Sequence, residues 1–350
     1  MGDLSQEWPV YCNVCQDVTV PSYMTYNLYV SGFVMAIVAA IGLISNILVI
    51  VVYLSPEQRV HSTSIFLAAL GCSDFCLVFC AIFLYVFEAW RHHDHPLIWW
   101  VYVNCAPLMF PLSTIFQASS VYFCVAAAMD CFIIVVLPQS IHHALCTPKR
   151  AKYACMAIMA FCVVYNLPHF LEIQKVKCID KYGELNGQIC PTDIRTNEAY
   201  FTVYYTYMYT TFLAIGPLAL LIFLNACIVI TILTKGSPGD DFDTTSLILV
   251  VFLFIFCNFM ALLVNFVEVF FNDPTMMVYL IDLSNLLVVV NGTLNFYCYF
   301  IFGAGFRATL RKRLKVFFNM LFPSKNLTEK PPKCVWSSTE LGTDSLIPVD

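Results

Sequence analysis

The sequence predicts an all-α membrane protein, a bundle of seven transmembrane helices followed by a short amphipathic helix on the inner membrane face. Three observations support this prediction. Of the 350 residues, 60% are hydrophobic and only 12% are charged, whereas soluble domains are about one quarter charged. Seven apolar runs reach the roughly 20 residues that a helix needs to cross a bilayer. These runs are continuously apolar rather than alternating, which favours helices over a β-barrel.

The seven predicted spans contain very few charged residues. The second has only Asp74 and the third only Asp130, near its inner end, while Pro217 predicts a kink in the fifth. The spans are placed at residues 29–53, 62–87, 105–137, 154–170, 200–233, 244–267 and 276–302. The whole chain then has four parts, an outer N-terminal segment, the seven-helix domain, the amphipathic helix and a disordered inner tail, at residues 1–25, 26–303, 304–318 and 319–350.

Lysine and arginine predict the orientation. With the N-terminus outside, 13 of the 18 basic residues fall in inner segments and five in outer segments. Cytoplasmic loops carry the excess of such residues. The N-terminus is therefore expected outside and the tail in the cytoplasm. The first 25 residues have no basic region typical of a signal peptide, so the first span is expected to direct insertion.

The seventh span contains a polar stripe. Asn291, Asn295 and Tyr299 are each four residues apart, which puts them on one helix face. Polar side chains in a membrane helix are costly and should face other helices. This stripe should therefore meet polar groups elsewhere in the bundle.

Asp74 is the acid expected at mid-membrane depth. A lone carboxylate there should pair, bind a cation or be protonated. Its candidate neighbours at matching depth are Asn46, Ser119 or Ser120, Asn291 and Asn295. A carboxylate among hydroxyl and amide oxygens suits a small cation. The alternative is a hydrogen-bonded polar core that only fixes helix packing, and the sequence leaves both open.

The sequence gives little support for an enzyme active site or for a metal site other than the one at Asp74. There is no nucleophile–base set, phosphate loop or pair of catalytic carboxylates, and no feature predicts a nucleic-acid partner or an organic cofactor. The adjacent ligand-type residues His92, His93, Asp94 and His95 are more typical of a solvated loop than of a metal site. A channel or transporter would need a continuous polar path, whereas the acids here stand at isolated depths.

A series of short motifs, in chain order, resembles one receptor class. The sequence has GLISNILVI, LAALGCSD, MDCFIIVVLP, YNLPHFLE, PTDIRTNEAY, CNFMALLVNFVE, NFYCY and FGAGFR. Together they resemble the rhodopsin-type (class A) G-protein-coupled receptors, and within them the FMRFamide-type neuropeptide receptors of invertebrates. The resemblance covers about residues 26–314.

This resemblance implies a cell-surface receptor of the plasma membrane that binds a short amidated peptide outside and a heterotrimeric G protein inside. It also implies a sodium-linked network formed by Asn46, Asp74, Ser120, Asn291 and Asn295. In the same way, it makes Tyr299 a switch that moves toward the third and fifth spans on activation.

The sequence departs from the class at its inner face. Asp130 keeps the usual acid, but Cys131 stands where the class has arginine, which pairs with that acid at rest and meets the G protein when active. Asn258 and Met260 replace the usual aromatic–proline pair, and the loop 234–243 is short and acidic. Coupling is therefore expected to be weakened or altered, and a receptor-like protein that does not couple remains the alternative.

On the outer face, the resemblance ties Cys105, at the start of the third span, to a cysteine in the second outer loop. Cys190 is the predicted partner and Cys178 the alternative. The outer side is oxidising, so such a disulfide would persist.

The ligand site is expected between helices in the outer half of the bundle. No carboxylate lies near Ser113, which disfavours a small-amine ligand. Glu268 and Asp282 would suit the arginine of an amidated Arg–Phe peptide; the alternative is that both are solvated charges at loop edges. The candidate ligand-binding residues are Ser113, Thr114, Gln117, Tyr204, Tyr207, Asn258, Asn265, Glu268 and Asp282.

Overall fold

A computed structural model confirms the helical architecture. The structure describes residue 11 and residues 20–90, 96–179, 185–235, 252, 256 and 274–321. Within them, six helical segments are long and apolar enough to cross a membrane: Pro21–Tyr53, Ser62–Trp90, Pro96–Val136, Pro148–Leu171, Glu198–Thr234 and Met276–Phe302. They correspond to the first five predicted spans and the seventh. Apart from residues 252 and 256 of the predicted sixth span and residues 319–321 of the predicted tail, those two segments lie outside the described residues.

Several helices extend beyond the apolar runs that predicted them. The third span begins at Pro96 rather than at residue 105, and the fourth begins at Pro148 rather than at 154. The hydroxyl of Thr147 caps the fourth span by accepting a hydrogen bond from the Arg150 amide, and Pro148 at the first position needs no donor partner. Hydropathy marks only the apolar part of the fourth span, so its basic first turns, with Lys149, Arg150 and Lys152, were missed. Residues 96–104 of the third span are themselves mostly apolar, and the prediction began that span too late.

The third span is the centre of the described bundle, since it packs against the second, fourth and fifth spans. The first span packs against the second and the seventh. A close approach between the first and seventh needs Gly42, because a Cβ there would lie 2.5 Å from the hydroxyl of Thr293. The inner-half core includes Val49, Leu70, Ala127, Leu224 and Tyr299.

The loop between the fourth and fifth spans, which the predicted orientation places on the outer side, forms an antiparallel hairpin that the sequence patterns did not predict. Strand β1, Ile173–Ile179, pairs with β2, Leu185–Pro191. The hairpin contacts the outer part of the third span, where Lys175 donates a 2.8 Å hydrogen bond to Asn104 Oδ1.

The predicted disulfide between Cys105 and Cys190 is wrong in this structure. Cys105 is a free cysteine, whereas Cys178 and Cys190 are each disulfide-bonded. The two are not bonded to each other, because the register places Cys190 opposite Gln174, four residues from Cys178 and so about 13 Å along the strand. A disulfide needs Cα atoms within about 7 Å. The alternative pairing of Cys105 with Cys178 is wrong for the same reason as the first, since the Cys105 thiol is free.

A helix over Ala304–Leu321 follows the seventh span, in agreement with the predicted amphipathic segment. Its Phe306 is buried and packs on the rings of Tyr53 and Tyr299. Glu57 in the first inner loop forms ion pairs with Lys312 and Arg313. The hydrogen bond from Lys312 is the main cause that lowers the pKa of Glu57 to about 2. These exposed pairs add little stability.

Candidate functional site

The centre of the described bundle is a polar cluster around Asp74, which is 1% exposed. Its carboxylate accepts a 2.5 Å hydrogen bond from the Ser120 hydroxyl and a 2.7 Å hydrogen bond from Asn295 Nδ2. The sequence could not decide whether Ser119 or Ser120 lies next to Asp74. In the structure Ser120 bonds to the acid, whereas Ser119 donates to the Ile115 carbonyl. One carboxylate therefore joins the second, third and seventh spans.

The first span enters the same cluster through Asn46. Its Nδ2 donates to the carbonyl oxygens of Gly42, at 2.9 Å, and Gly292, at 3.0 Å. Gly292 of the seventh span lies next to the acid, since a Cβ there would be in ordinary van der Waals contact with Asp74, 3.4 Å away. Asn46 is thus held beside the acid without a direct bond to it.

Four buried oxygens near this cluster have no hydrogen-bond donor among the described residues. They are Asn46 Oδ1, Ser73 Oγ, Asn291 Oδ1 and Asn295 Oδ1. An unsatisfied buried polar group costs about 1–3 kcal/mol, so a water or an ion that bonded to these four oxygens would stabilise the bundle. Neutral oxygens around one carboxylate are the ligands that a small hard cation prefers. The donor set fits a sodium ion with bound water.

The predicted polar stripe faces inward. Asn291, Asn295 and Tyr299 are all buried. The Tyr299 ring packs edge-on against Tyr53 at 5.3 Å, and its hydroxyl has no partner among the described residues. The phenol is therefore free to take a new acceptor if the inner ends of the helices move.

At the inner end of the third span, Asp130 is buried and bonded to hydroxyl groups. Its Oδ2 accepts hydrogen bonds from Ser62, at 2.7 Å, and Thr63, at 2.5 Å. Both hydroxyls belong to the first turn of the second span, whose positive helix end favours a carboxylate. Cys131 is fully buried in the inner core. The acid is thus stabilised by the second span where the class resemblance implies an arginine partner.

A small cavity opens between the second, third and seventh spans, on the outer side of the Asp74 cluster. Its lining residues are Leu77, Ala81, Tyr85, Ser113, Gln117, Asn285, Val288 and Val289. Two of the predicted ligand residues, Ser113 and Gln117, are among them. Asn285 was missed, although it follows the candidate Asp282 at helical spacing. The lining is neutral, with the hydroxyl-bearing residues Tyr85 and Ser113, two carboxamides and apolar surface.

The other predicted ligand residues do not converge on this cavity. Thr114 donates its hydroxyl to the Pro111 carbonyl. Tyr204 is buried and donates to the Tyr165 carbonyl, at 2.8 Å, while Tyr207 is 65% exposed. The remaining predicted residues Asn258, Asn265 and Glu268 lie outside the described residues.

Asp282 is not a solvated charge at a loop edge, so that alternative is wrong for this residue. It is buried, and its carboxylate accepts a 2.9 Å hydrogen bond from Asn27 Nδ2 of the first span. Tyr26 and Tyr279 lie next to this pair, where Tyr26 donates to the Tyr279 carbonyl. Tyr23 is a further hydrogen-bond partner of this carboxylate, so Asp282 is bonded twice to the first span.

Comparison with known proteins places these features in a family. Residues 45–299 match the family described as 7 transmembrane receptor (rhodopsin family). The chain is 35% identical, over 345 residues, to the probable G-protein coupled receptor frpr-1 of Caenorhabditis elegans, an alignment that covers 92% of this chain and 90% of that protein.

Two further relatives are FMRFamide receptors by name. The FMRFamide receptor of Drosophila melanogaster is 26% identical, with 93% of this chain and 60% of that protein aligned. The FMRFamide peptide receptor frpr-18 of Caenorhabditis elegans is also 26% identical, with 78% and 66% aligned. The helical bundle, the order of its motifs and these matches agree, and the chain belongs to the rhodopsin family of seven-transmembrane, G-protein-coupled receptors.

Proposed function

We propose that this receptor binds a short amidated neuropeptide of the FMRFamide type on its outer side and signals to a heterotrimeric G protein in the cytoplasm. Two relatives carry that ligand in their names. The observation that carries the proposal is the neutral polar cavity formed by Ser113, Gln117 and Asn285. The protein is proposed to lie in the plasma membrane with its N-terminus outside, in contact with membrane lipid.

The chemistry of the cavity suits the amidated end of such a peptide. A primary carboxamide offers both a donor and an acceptor, which the side-chain amides of Gln117 and Asn285 can pair with. A free carboxylate would enter without a cation among the lining residues and would lose its hydration. The cavity is narrow, with about 20 Å³ of free volume, so the apolar residues Leu77 and Val288 have to move apart to admit the neighbouring aromatic ring.

The central polar cluster is proposed to bind sodium. Asp74 would supply the charge, with Ser120, Asn291 and Asn295 as the oxygen donors, and bound water would complete the shell. A bound cation would hold the second, third and seventh spans together and so favour the resting arrangement. Agonist binding would shift the population to a second packing of these spans, in which Tyr299 moves.

A screen of amidated peptides tests the ligand class. Cells that express the chain with a promiscuous Gα subunit should respond to an amidated Arg–Phe peptide and not to its free-acid form. Cells that carry the empty vector are the control. A response to the free acid alone, or to a small amine instead of any peptide, would contradict the proposal.

A Gln117→Leu variant tests the cavity itself. The substitution keeps a similar volume but removes the carboxamide, so the potency of the amidated peptide should fall about tenfold, as expected for the loss of a hydrogen bond worth about 1.5 kcal/mol. The potency of the free-acid peptide should fall by a smaller factor. Thr114→Val is the matched control on the same span, because Thr114 bonds to its own helix backbone. An unchanged preference for the amide would remove Gln117 from the site.

We also keep a second candidate function, a receptor that binds peptide without coupling to a G protein. The observation that favours it is Cys131, fully buried where the class resemblance implies arginine. Direct binding of a labelled amidated peptide in the absence of any G-protein signal would support it. A robust signal from the native chain through a natural Gα subunit would reject it.

A further inference from the structure

A buried cluster of hydrogen bonds lies at the outer end of the fourth span, away from the cavity. Its centre is Glu172, which is 0% exposed and comes directly after Leu171, the last residue of the span. Four side chains contact the carboxylate from three parts of the chain. We refer to the five residues together as the outer clamp, formed by His169, Glu172, Arg195, Tyr200 and Tyr205.

Each oxygen of the Glu172 carboxylate has two polar contacts. Oε1 accepts from the Tyr200 hydroxyl at 2.6 Å and lies 3.0 Å from His169 Nδ1. Oε2 accepts from the Tyr205 hydroxyl at 2.5 Å and from Arg195 Nη1 at 2.8 Å. Arg195 also contacts the Tyr205 hydroxyl, and its guanidinium lies 4.3 Å from the centre of that ring.

These contacts keep the buried acid ionised. Burial alone would raise the pKa of Glu172, but the hydrogen bonds with His169 and Tyr200, together with the positive charge of Arg195, hold that pKa below its usual value. A buried carboxylate that lost these partners would be strongly destabilising. The geometry of the clamp is therefore tightly constrained.

The clamp connects the base of the hairpin to the outer end of the fifth span. The Thr192 amide donates to the Glu172 carbonyl at 2.9 Å, and the Thr192 hydroxyl donates to the Leu171 carbonyl at 2.5 Å. Tyr200 and Tyr205 belong to the outer end of the fifth span. Cys105 is free, so no disulfide ties the hairpin to the third span, although Cys178 and Cys190 of the hairpin are each disulfide-bonded. The clamp is what joins the base of the hairpin to the fifth span.

The clamp contacts the third span about one helical turn from the cavity. Ser113, a lining residue, donates to the Phe110 carbonyl at 2.8 Å. The Phe110 ring packs edge-on against His169, with the ring centres 5.4 Å apart. His169 in turn contacts Glu172. A continuous series of packed groups therefore joins the cavity to the outer end of the fifth span.

From these contacts, we propose that Glu172 is a positioning residue for agonist binding. By holding Arg195 and Tyr205, it fixes the second outer loop against the fifth span and so sets the affinity of the receptor for its peptide. It acts through these neighbours rather than by touching the ligand. This inference rests on the proposed function, because it takes the cavity to be the peptide site.

The test uses Glu172→Gln in the full-length receptor. The amide keeps the shape but loses the charge that Arg195 pairs with, so agonist potency should fall about tenfold while the maximal response per surface receptor stays the same. Glu198→Gln is the matched control, since Glu198 is an exposed acid in the first turn of the fifth span, and its potency should not change. A Glu172→Gln receptor with fewer copies at the surface but unchanged potency would overturn the inference.

Two further measurements keep the test decisive if Glu172→Gln fails to fold or if the ligand is not an amidated peptide. Tyr205→Phe removes one hydroxyl and keeps the ring, and it should lower potency in the same direction by a smaller factor. Without any ligand, hydrogen exchange of the receptor in lipid nanodiscs should rise in residues 173–179 and 185–191 of either variant and stay unchanged in the second span. Unchanged exchange in the hairpin would overturn the role of Glu172 even if no peptide activates the receptor.

Discussion

Asp74→Asn is expected to abolish the effect of sodium on agonist affinity. In the native receptor, replacing choline by sodium at constant ionic strength should lower agonist affinity about tenfold, a typical size for coupling between two sites, because the cation favours the resting packing. The asparagine keeps the hydrogen bonds with Ser120 and Asn295 but removes the charge that attracts the ion. Competition binding against a labelled peptide measures both affinities.

Asp282→Asn provides the control for this experiment. Asp282 is also a buried acid, but it is bonded to Asn27 at the outer end of the bundle, so its variant should keep the sodium effect. A native receptor that responds equally in sodium and choline would remove the ion from the account. So would an Asp74→Asn receptor that keeps the full sodium shift.

Cys131→Arg is expected to raise agonist-driven G-protein signalling by at least severalfold. Ser62 and Thr63 both donate to Oδ2 of Asp130, and the Cys146 side chain is a further hydrogen-bond neighbour of that acid. An introduced guanidinium next to this carboxylate is expected to pair with it at rest and to turn toward the G protein when the receptor is active. The change is measured as signal through a natural Gα subunit, normalised to receptor at the cell surface.

Cys131→Ser is the control that distinguishes the effect of adding a positive charge at position 131 from the effect of removing the thiol. Serine has nearly the size of cysteine and carries no charge, so its signal should equal that of the native chain. Equal signal from the native, serine and arginine forms, with peptide binding intact, would show that residue 131 does not limit coupling. In that case the missing arginine would not explain weak or altered signalling.

The polar centre could be predicted from the sequence because its signals are local. Asn291, Asn295 and Tyr299 follow a four-residue spacing that fixes one face of one helix, and an acid within an apolar run is rare enough to single out Asp74. The structure buries all four. The sequence could not decide whether Ser119 or Ser120 reaches the acid, since that choice depends on the rotation of the third span.

The outer side was less predictable, because its contacts join residues far apart in the chain. Glu172 meets Arg195 and Tyr205, which lie 23 and 33 residues further on, and no local pattern marks a loop acid as buried. The Cys105 pairing failed for a related reason, since it was taken from the resemblance, whereas the register of the hairpin determines which cysteines come close. The sequence could not decide whether Asp282 faces the ligand or is a solvated charge at a loop edge, because its contact with Asn27 of the first span joins two distant parts of the chain.

Photolabelling of the receptor tests the central claim most directly. A peptide with a photoreactive group on its last aromatic side chain and an intact terminal carboxamide should label the third span near Ser113–Gln117 or the seventh near Asn285–Val289. Excess unlabelled amidated peptide should block that labelling. Labelling confined to the hairpin or to residues outside the bundle, or equal labelling by the free-acid form, would contradict the proposal that the amidated end enters this cavity.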